Sequence, residues 1–391
     1  MSEATTCPAC RGERLSEIYR LSAIPVQSCV LLDNREEALA FPRHELVLTF
    51  CEACGFIFNA AFDLSLVDYA SPTEESQHFS GTFNRFAKEL IAEIASLYDL
   101  EGKHTLEIGC GKGDFLRELA QQTKTIGLGV DPGFIPERLL GASGHEIAFQ
   151  REYFNPSTIK FAPDFVVCRH TLEHIPEVGA FMAGIAEVVD GRTEVGILFE
   201  TPDVRRVLAT GAFWDIYFEH CSYFTLGSHA RLFRRAGLNV TRLYLAYHDQ
   251  YIIQYAEPGS GGNPLPQEDD LSALRALAAE FPAKVAEIRA HWTAFVHDCY
   301  SAGSRVAIWG GGSKGVSFLT TNELTDEVAQ VVDINPYKQG KFLPGTGHQI
   351  IVPEALKEAP PDVVIVMNPI YLPEVSAQLA DMELDPELVA V

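Results

Sequence analysis

The sequence predicts an α/β protein: two successive parallel-sheet units behind a small cysteine-rich module. Three observations carry that expectation. Residues 104–119 read as a short apolar strand, a turn with glycine at alternate positions and the start of a helix, and a second strand follows that ends in an acid at Asp131. Residues 305–333 repeat the order, with the turn G-G-G-S-K-G and an acid-ended strand at Asp333. Two C-x-x-C pairs, Cys7/Cys10 and Cys51/Cys54, precede both units. A chain of 391 residues has room for two or three domains, each with its own core. The expected division is 1–67 for the cysteine module, 68–257 for the first sheet unit, 258–270 for a linker and 271–391 for the second unit.

Composition excludes several function classes. Acidic residues outnumber basic ones 53 to 30, a formal charge of −23, so neither nucleic acid nor an anionic membrane is an expected partner. No apolar run reaches the length of a membrane span, and the first residues lack a basic-then-apolar leader, so the expected location is cytoplasmic. Nine dispersed cysteines do not suggest a disulfide framework.

In the N-terminal module, four thiolates from Cys7, Cys10, Cys51 and Cys54 suit tetrahedral zinc, and Gly55 permits a tight turn after the second pair. Four cysteines leave no open coordination position, so the expected zinc is structural. Alternation at 44–50 suggests short half-buried strands. Residues 62–82 are polar, with Tyr69 and His78 among them. Phe83, Phe86, Leu90, Ile94 and Leu97 then recur at helical spacing, which predicts a helix over 83–98 that covers the sheet.

The stretch L-E-I-G-C-G-K-G holds Glu107, Gly109, Gly111 and Gly113. Glycines here let the backbone approach a ligand, while Glu107 can meet an ammonium group and Asp131 both hydroxyls of a ribose. The spacing is not the dinucleotide fingerprint, which needs two residues between its last glycines. It resembles motif I of the class I S-adenosylmethionine (SAM) methyltransferases, which implies SAM as cofactor. Tyr153 and His170 complete the expected cofactor-contacting set.

The strand 163–168 delivers R-H-T-L-E-H-I at its carboxyl end, where open α/β sheets bind ligands. His170 and His174 have a metal-pair spacing, but the sequence shows no further ligand beside them, and no metal role is expected. Residues 213–224 set Glu219 and His220 among aromatics, where a histidine can act as a general base or be simply packed.

The order of four-cysteine module, SAM motif, Y-x-E-H-x-x-Y-F and glycine-rich end resembles the sugar-nucleotide C-methyltransferases acting on TDP-linked 4-keto-deoxysugars. That resemblance spans nearly the whole chain. It implies a class I methyltransferase Rossmann-like sheet, a small N-terminal zinc module and a second Rossmann-like C-terminal domain. It also implies a small-molecule substrate, a nucleotide-linked sugar. In such enzymes the motif histidine removes the proton next to the ketone and the enolate takes the methyl group. By resemblance His220 is the base, Glu219 and Tyr217 orient it or the sugar, His174 lies near the ketone oxygen, and Tyr69 closes over the site. Two positions depart from the family pattern: Phe218 replaces a histidine, and His248-Asp249-Gln250-Tyr251 replaces H-G-G-S. These departures keep an O-methyltransferase open as an alternative.

Residues 257–270 are rich in Gly and Pro and read as a linker, followed by a helix to about 300 that is expected to bend or break at Pro282. The turn at 310–315 is G-x-G-x-x-G and, taken alone, predicts NAD, so an oxidoreductase is a second alternative. A non-catalytic protein that retains SAM is a third. Lys314, Lys338 and Lys341 are candidates to hold a nucleotide diphosphate.

Overall fold

The computed structural model describes residues 5–139 and 146–391. Strands β1 (Leu15–Pro25), β2 (Arg43–Cys51) and β3 (Ile57–Asn59) form an antiparallel meander, with helix α1 (Arg35–Ala40) in the first connection. From Leu46 to Cys51 every residue of β2 is buried, contrary to the half-buried alternation expected. Leu46, Leu48 and Phe50 pack into one core and Cys51 into another, so both faces of the strand are covered.

Helix α2 (Gly81–Leu97) starts at Ser80, whose Oγ accepts from the backbone N–H of Thr82 and Phe83. Phe83, Leu90 and Ile94 are buried as their spacing predicts, while Leu97 in the last turn is exposed. The second sheet follows with β4 (His104–Ile108), α3 (Asp114–Thr123), β5 (Ile126–Val130), β6 (Ile147–Gln150), β7 (Phe165–Arg169), α4 (Val178–Val188) and β8 (Gly196–Pro202). Helix α5 (Val204–Thr210) leads to β9 (Ser222–Tyr223), which returns to pair with β3. Helix α6 (Leu226–Arg235), β10 (Leu238–Ala246) and β11 (Tyr251–Pro258) complete the unit.

The spatial order is β10-β11-β8-β7-β4-β5-β6, parallel from β8 to β6 and antiparallel at β11 and β10. The winding reverses between β4 and β7, which opens a crevice at their carboxyl ends. Ile108 pairs with both Val130 and Cys168, so Gly109 and Asp131 leave the sheet level with Arg169, the last residue of β7.

Helix α7 (Leu271–Ser301) runs through Pro282 without a break, contrary to expectation. An interior proline costs about 3 kcal/mol. Burial of Leu274, Phe281, Val285, Trp292 and Val296 offsets it, at roughly 1.5–3 kcal/mol for each large side chain. The third sheet comprises β12 (Val306–Trp309), β13 (Gln330–Val332), β14 (Ile350–Ile351), β15 (Val363–Val366) and β16 (Glu387–Ala390), with α8 (Ser313–Thr321) and α9 (Leu372–Asp381). Its order is β14-β13-β12-β15-β16, all parallel.

The units do not keep separate cores. Ile18, Leu46 and Phe50 of the first sheet, Phe213 and Phe218 of the middle segment, Phe281 of α7 and Phe318 of α8 belong to one apolar cluster. The 258–270 stretch is also fastened rather than free: Asp270 accepts from Thr225 and Gly227 and pairs with Arg231, and buried Glu268 pairs with Arg234. No helix among the described residues is long and apolar enough to cross a membrane.

Candidate active site

The glycine turn lies at the carboxyl end of β4. Gly109, Gly111 and Gly113 have φ of +69°, +54° and +84°, the region that favours glycine. A Cβ on Gly109 would overlap Thr171, whereas one on Gly111 would meet nothing within 4 Å, so the turn is closed toward β7 and open at its middle. Asp131 accepts from the N–H of Gly111 at 2.9 Å and of Gly133 at 2.7 Å, which fixes its carboxylate at the rim. Glu107 is 2% exposed, and its Oε2 has no hydrogen-bond partner among the described residues. Burial pushes its carboxyl up to about 8, although nearby Arg169 favours the charged form. An unpaired buried carboxylate beside an open glycine turn fits the ammonium and ribose of SAM.

At the end of β7, His170 stands at φ +48° with its Nε2 2.7 Å from Glu200 and its Nδ1 3.6 Å from Glu173. Burial opposes its charge, yet the two carboxylates hold its pKa up to about 9. Arg169 also pairs with Glu200, which stays ionised at about 2 despite its own burial. His170 is therefore engaged within the protein and packs edge-on against Tyr251 at 4.6 Å. Tyr153 is 60% exposed, beyond the end of β6.

The proposed catalytic residues meet around His174. Its ring lies 4.7 Å from that of His220 and 5.4 Å from that of Tyr69. The carbonyl of Glu219 receives the Tyr69 hydroxyl at 3.2 Å and lies 3.1 Å from His174 Nδ1. His220 is half-buried and also packs edge-on against Tyr217 at 4.7 Å. Burial, reinforced by the neighbouring His174 and His170, holds its pKa well below the usual histidine value, so the ring is neutral.

Two expected partners point elsewhere. Tyr217 donates its hydroxyl to Asp215 at 3.1 Å, and Asp215 pairs with Arg206 and Lys314. The Glu219 carboxylate accepts from the backbone N–H of Ser28 at 2.9 Å and from the Ser28 hydroxyl, and burial raises its pKa. Ser28 Oγ lies 2.7 Å from Ser313 Oγ, at the start of α8. Both residues hold the loop that carries His220.

The second glycine turn is filled by the protein. Lys314 pairs with Asp215, Lys338 with Asp333 at 3.4 Å, and Lys341 with Asp33, so each lysine proposed for a diphosphate has a carboxylate. Asp333 also accepts from the N–H of Asn335 at 2.8 Å. Between the second and third sheets lies a cleft of about 130 Å³ lined by Arg206, Trp214, His248, Lys314 and Asn368, among others. Of residues 248–251, His248 and Gln250 line it: Gln250 and Asn368 exchange side-chain hydrogen bonds at 2.8 and 3.1 Å, while Tyr251 donates to Gln77.

At the N-terminus, the Sγ atoms of Cys7, Cys10, Cys51 and Cys54 all lie within 4.8 Å of one another. Cys7 and Cys54 are 3.7 Å apart and Cys10 and Cys51 3.6 Å. Tetrahedral zinc with bonds of about 2.3 Å separates its sulfurs by about 3.8 Å, so the residues fit the ion.

A family model described as a methyltransferase domain matches residues 79–243, and one described as a C-methyltransferase C-terminal domain matches residues 266–386. The chain is a SAM-dependent methyltransferase. It is 26% identical over 322 residues to C-methyltransferase NovU of Streptomyces niveus, covering 74% of each chain. It is 31% identical over 105 residues to the ubiquinone biosynthesis O-methyltransferase of Escherichia coli, covering 25% of this methyltransferase and 42% of that relative. Among solved structures, magnesium protoporphyrin IX methyltransferase of Synechocystis aligns with a TM-score of 0.36 at 15% identity, over 46% of this chain and 84% of that one.

Two residues of the site carry no sequence signal: Ser28 sits in no motif, and Glu173 lies between the two histidines of the R-H-T-L-E-H run with nothing to set it apart.

Proposed function

We propose that this methyltransferase alkylates the carbon next to the ketone of a nucleotide-linked keto-deoxysugar, with His220 taking the proton from that carbon. One observation carries the reading: a neutral imidazole with no hydrogen bond to either ring nitrogen among the described residues stands 4.7 Å from His174, beside the β7 end that contacts the glycine turn. A carbon next to a ketone becomes nucleophilic only after losing a proton, so the reaction needs a positioned base and polar groups near the ketone oxygen. Tyr69 and His174 are those groups, and Tyr217 and Glu219 position the loop that carries the base. Bound SAM supplies an electrophilic methyl on its sulfonium, held by Glu107, the glycine turn and Asp131. Similarity to a C-methyltransferase over most of the chain supports carbon as the acceptor. The four cysteines hold a structural zinc.

The test uses TDP-linked keto sugars in deuterated water. Exchange next to the ketone should occur in the wild type and fall by about 100- to 10,000-fold in His220→Asn, as expected for loss of a general base. Methylation of a hydroxyl without exchange would replace this reading with O-methylation.

A further inference from the structure

Glu173, His174 and His220 each place one metal-ligating atom within 4.8 Å of the other two, at the carboxyl end of β7. Three separate observations show that each of these side chains keeps an atom with no hydrogen-bond partner among the described residues. Glu173 is 2% exposed, and its Oε2 is buried without a hydrogen-bond partner among the described residues. His174 Nδ1 lies 3.1 Å from the Glu219 carbonyl and 3.4 Å from the Tyr69 hydroxyl, which leaves Nε2 without a hydrogen-bond partner among the described residues. Neither ring nitrogen of His220 has a hydrogen bond among the described residues.

A buried carboxylate oxygen and two imidazoles that converge without hydrogen bonding to one another can all turn a lone pair toward a shared cation. A metal-binding histidine ordinarily donates its other N–H to a carbonyl or carboxylate, and His174 Nδ1 lies beside such a carbonyl here. Two imidazoles and a carboxylate suit a borderline divalent ion such as zinc or cobalt better than magnesium, which prefers oxygen ligands. Spacing alone pairs His170 with His174 and supports no metal role. The fold withdraws His170 into its pair with Glu200 and replaces it with Glu173 and His220.

The geometry points to a second metal site, in which Glu173, His174 and His220 capture a zinc-class divalent cation that inhibits the enzyme. A metal bound to the His220 lone pair leaves that nitrogen unable to accept a proton from substrate. The inhibition rests on the proposed role of His220, whereas the metal site does not.

The full chain is dialysed against cobalt(II) chloride, and bound metal is counted with absorption spectra. Cobalt at the four cysteines gives intense near-ultraviolet thiolate bands, and a site of two histidines and a glutamate gives only weak visible bands. One equivalent of the second kind is expected. Loss of an outer-shell partner costs a metal site about 10- to 100-fold in affinity, so His220→Asn and His174→Asn should each weaken this equivalent by about 100-fold or more and spare the thiolate bands. Absence of the weak-band equivalent from the wild type, or its survival in both variants, overturns the site. Because the readout carries no thiolate bands and uses no sugar, failure of the cysteine site or of the sugar assignment registers separately. Zinc should also stop methyl transfer over the range that fills the site, reversibly with chelator. A filled site with unchanged turnover overturns the inhibition.

Discussion

The two glycine-rich turns of this methyltransferase follow the same plan, strand into turn into helix, yet they do opposite work. At 109–113 the turn is open at Gly111, and the buried Glu107 carboxylate beside it lacks a partner. At 310–315 neighbouring units engage the polar side chains: Ser313 meets Ser28 and Lys314 meets Asp215, and just beyond the turn Ser317 donates to the carbonyls of Phe213 and Ile216. Gly315 is there for packing, since a Cβ would come within 2.4 Å of the Gly310 carbonyl oxygen. One turn keeps its hydrogen-bonding capacity for a ligand, and the other spends it on bracing the loop that carries His220.

Four measurements sharpen or break that contrast. Glu107→Gln should weaken SAM binding in calorimetry by about 10- to 100-fold with little change in melting temperature, because a charge-assisted hydrogen bond contributes about 1.5–3 kcal/mol. Equal affinity in this variant would mean that the unpaired carboxylate does not face the cofactor. Gly315→Ala should lower stability by about 1–3 kcal/mol through overpacking while the remaining folded protein binds SAM normally. A change in SAM affinity there would make the second turn part of the cofactor site.

Lys314→Met removes one of two cations from Asp215 and should cost about 1–2 kcal/mol of stability, since Arg206 remains. It should slow turnover more than it weakens SAM, and an unchanged rate would free the loop from its brace. Finally, the Glu107 pKa of about 8 predicts a pH effect. Below pH 8 the free carboxyl holds a proton that it must release to pair with an ammonium. Affinity should therefore rise by at most about tenfold per pH unit up to 8 and level off above it. A flat profile from pH 6 to 8 would contradict that pairing.

The strands and helices around both turns were legible because apolar runs and glycine spacing are local signals. Cys7, Cys10, Cys51 and Cys54 announced their cluster, and His174 lies beside both His220 and Tyr69. What the sequence hid is non-local. Nothing near Ser28 marks it as the partner of Glu219, and nothing near Lys314 distinguishes a lysine facing Asp215 from one awaiting a phosphate. Pro282 misled because the propensity against proline is local, whereas the burial that overrides it comes from elements distant in sequence. His170 was legible as a polar residue at the right strand end, but its engagement by Glu200 depends on the neighbouring strand.

The contact of Ser28 with Glu219 and Ser313 joins positions 191 and 285 residues apart along the chain. During synthesis the segment carrying His220 emerges long before the serine that closes its support, and contacts this distant are slow to form. A protein truncated after residue 257 would retain the whole nucleoside-binding sheet and still lack a settled base. Competence to bind the cofactor and competence to react would thus be acquired at different moments in the life of the polypeptide, the second only when the last third has folded back onto the first.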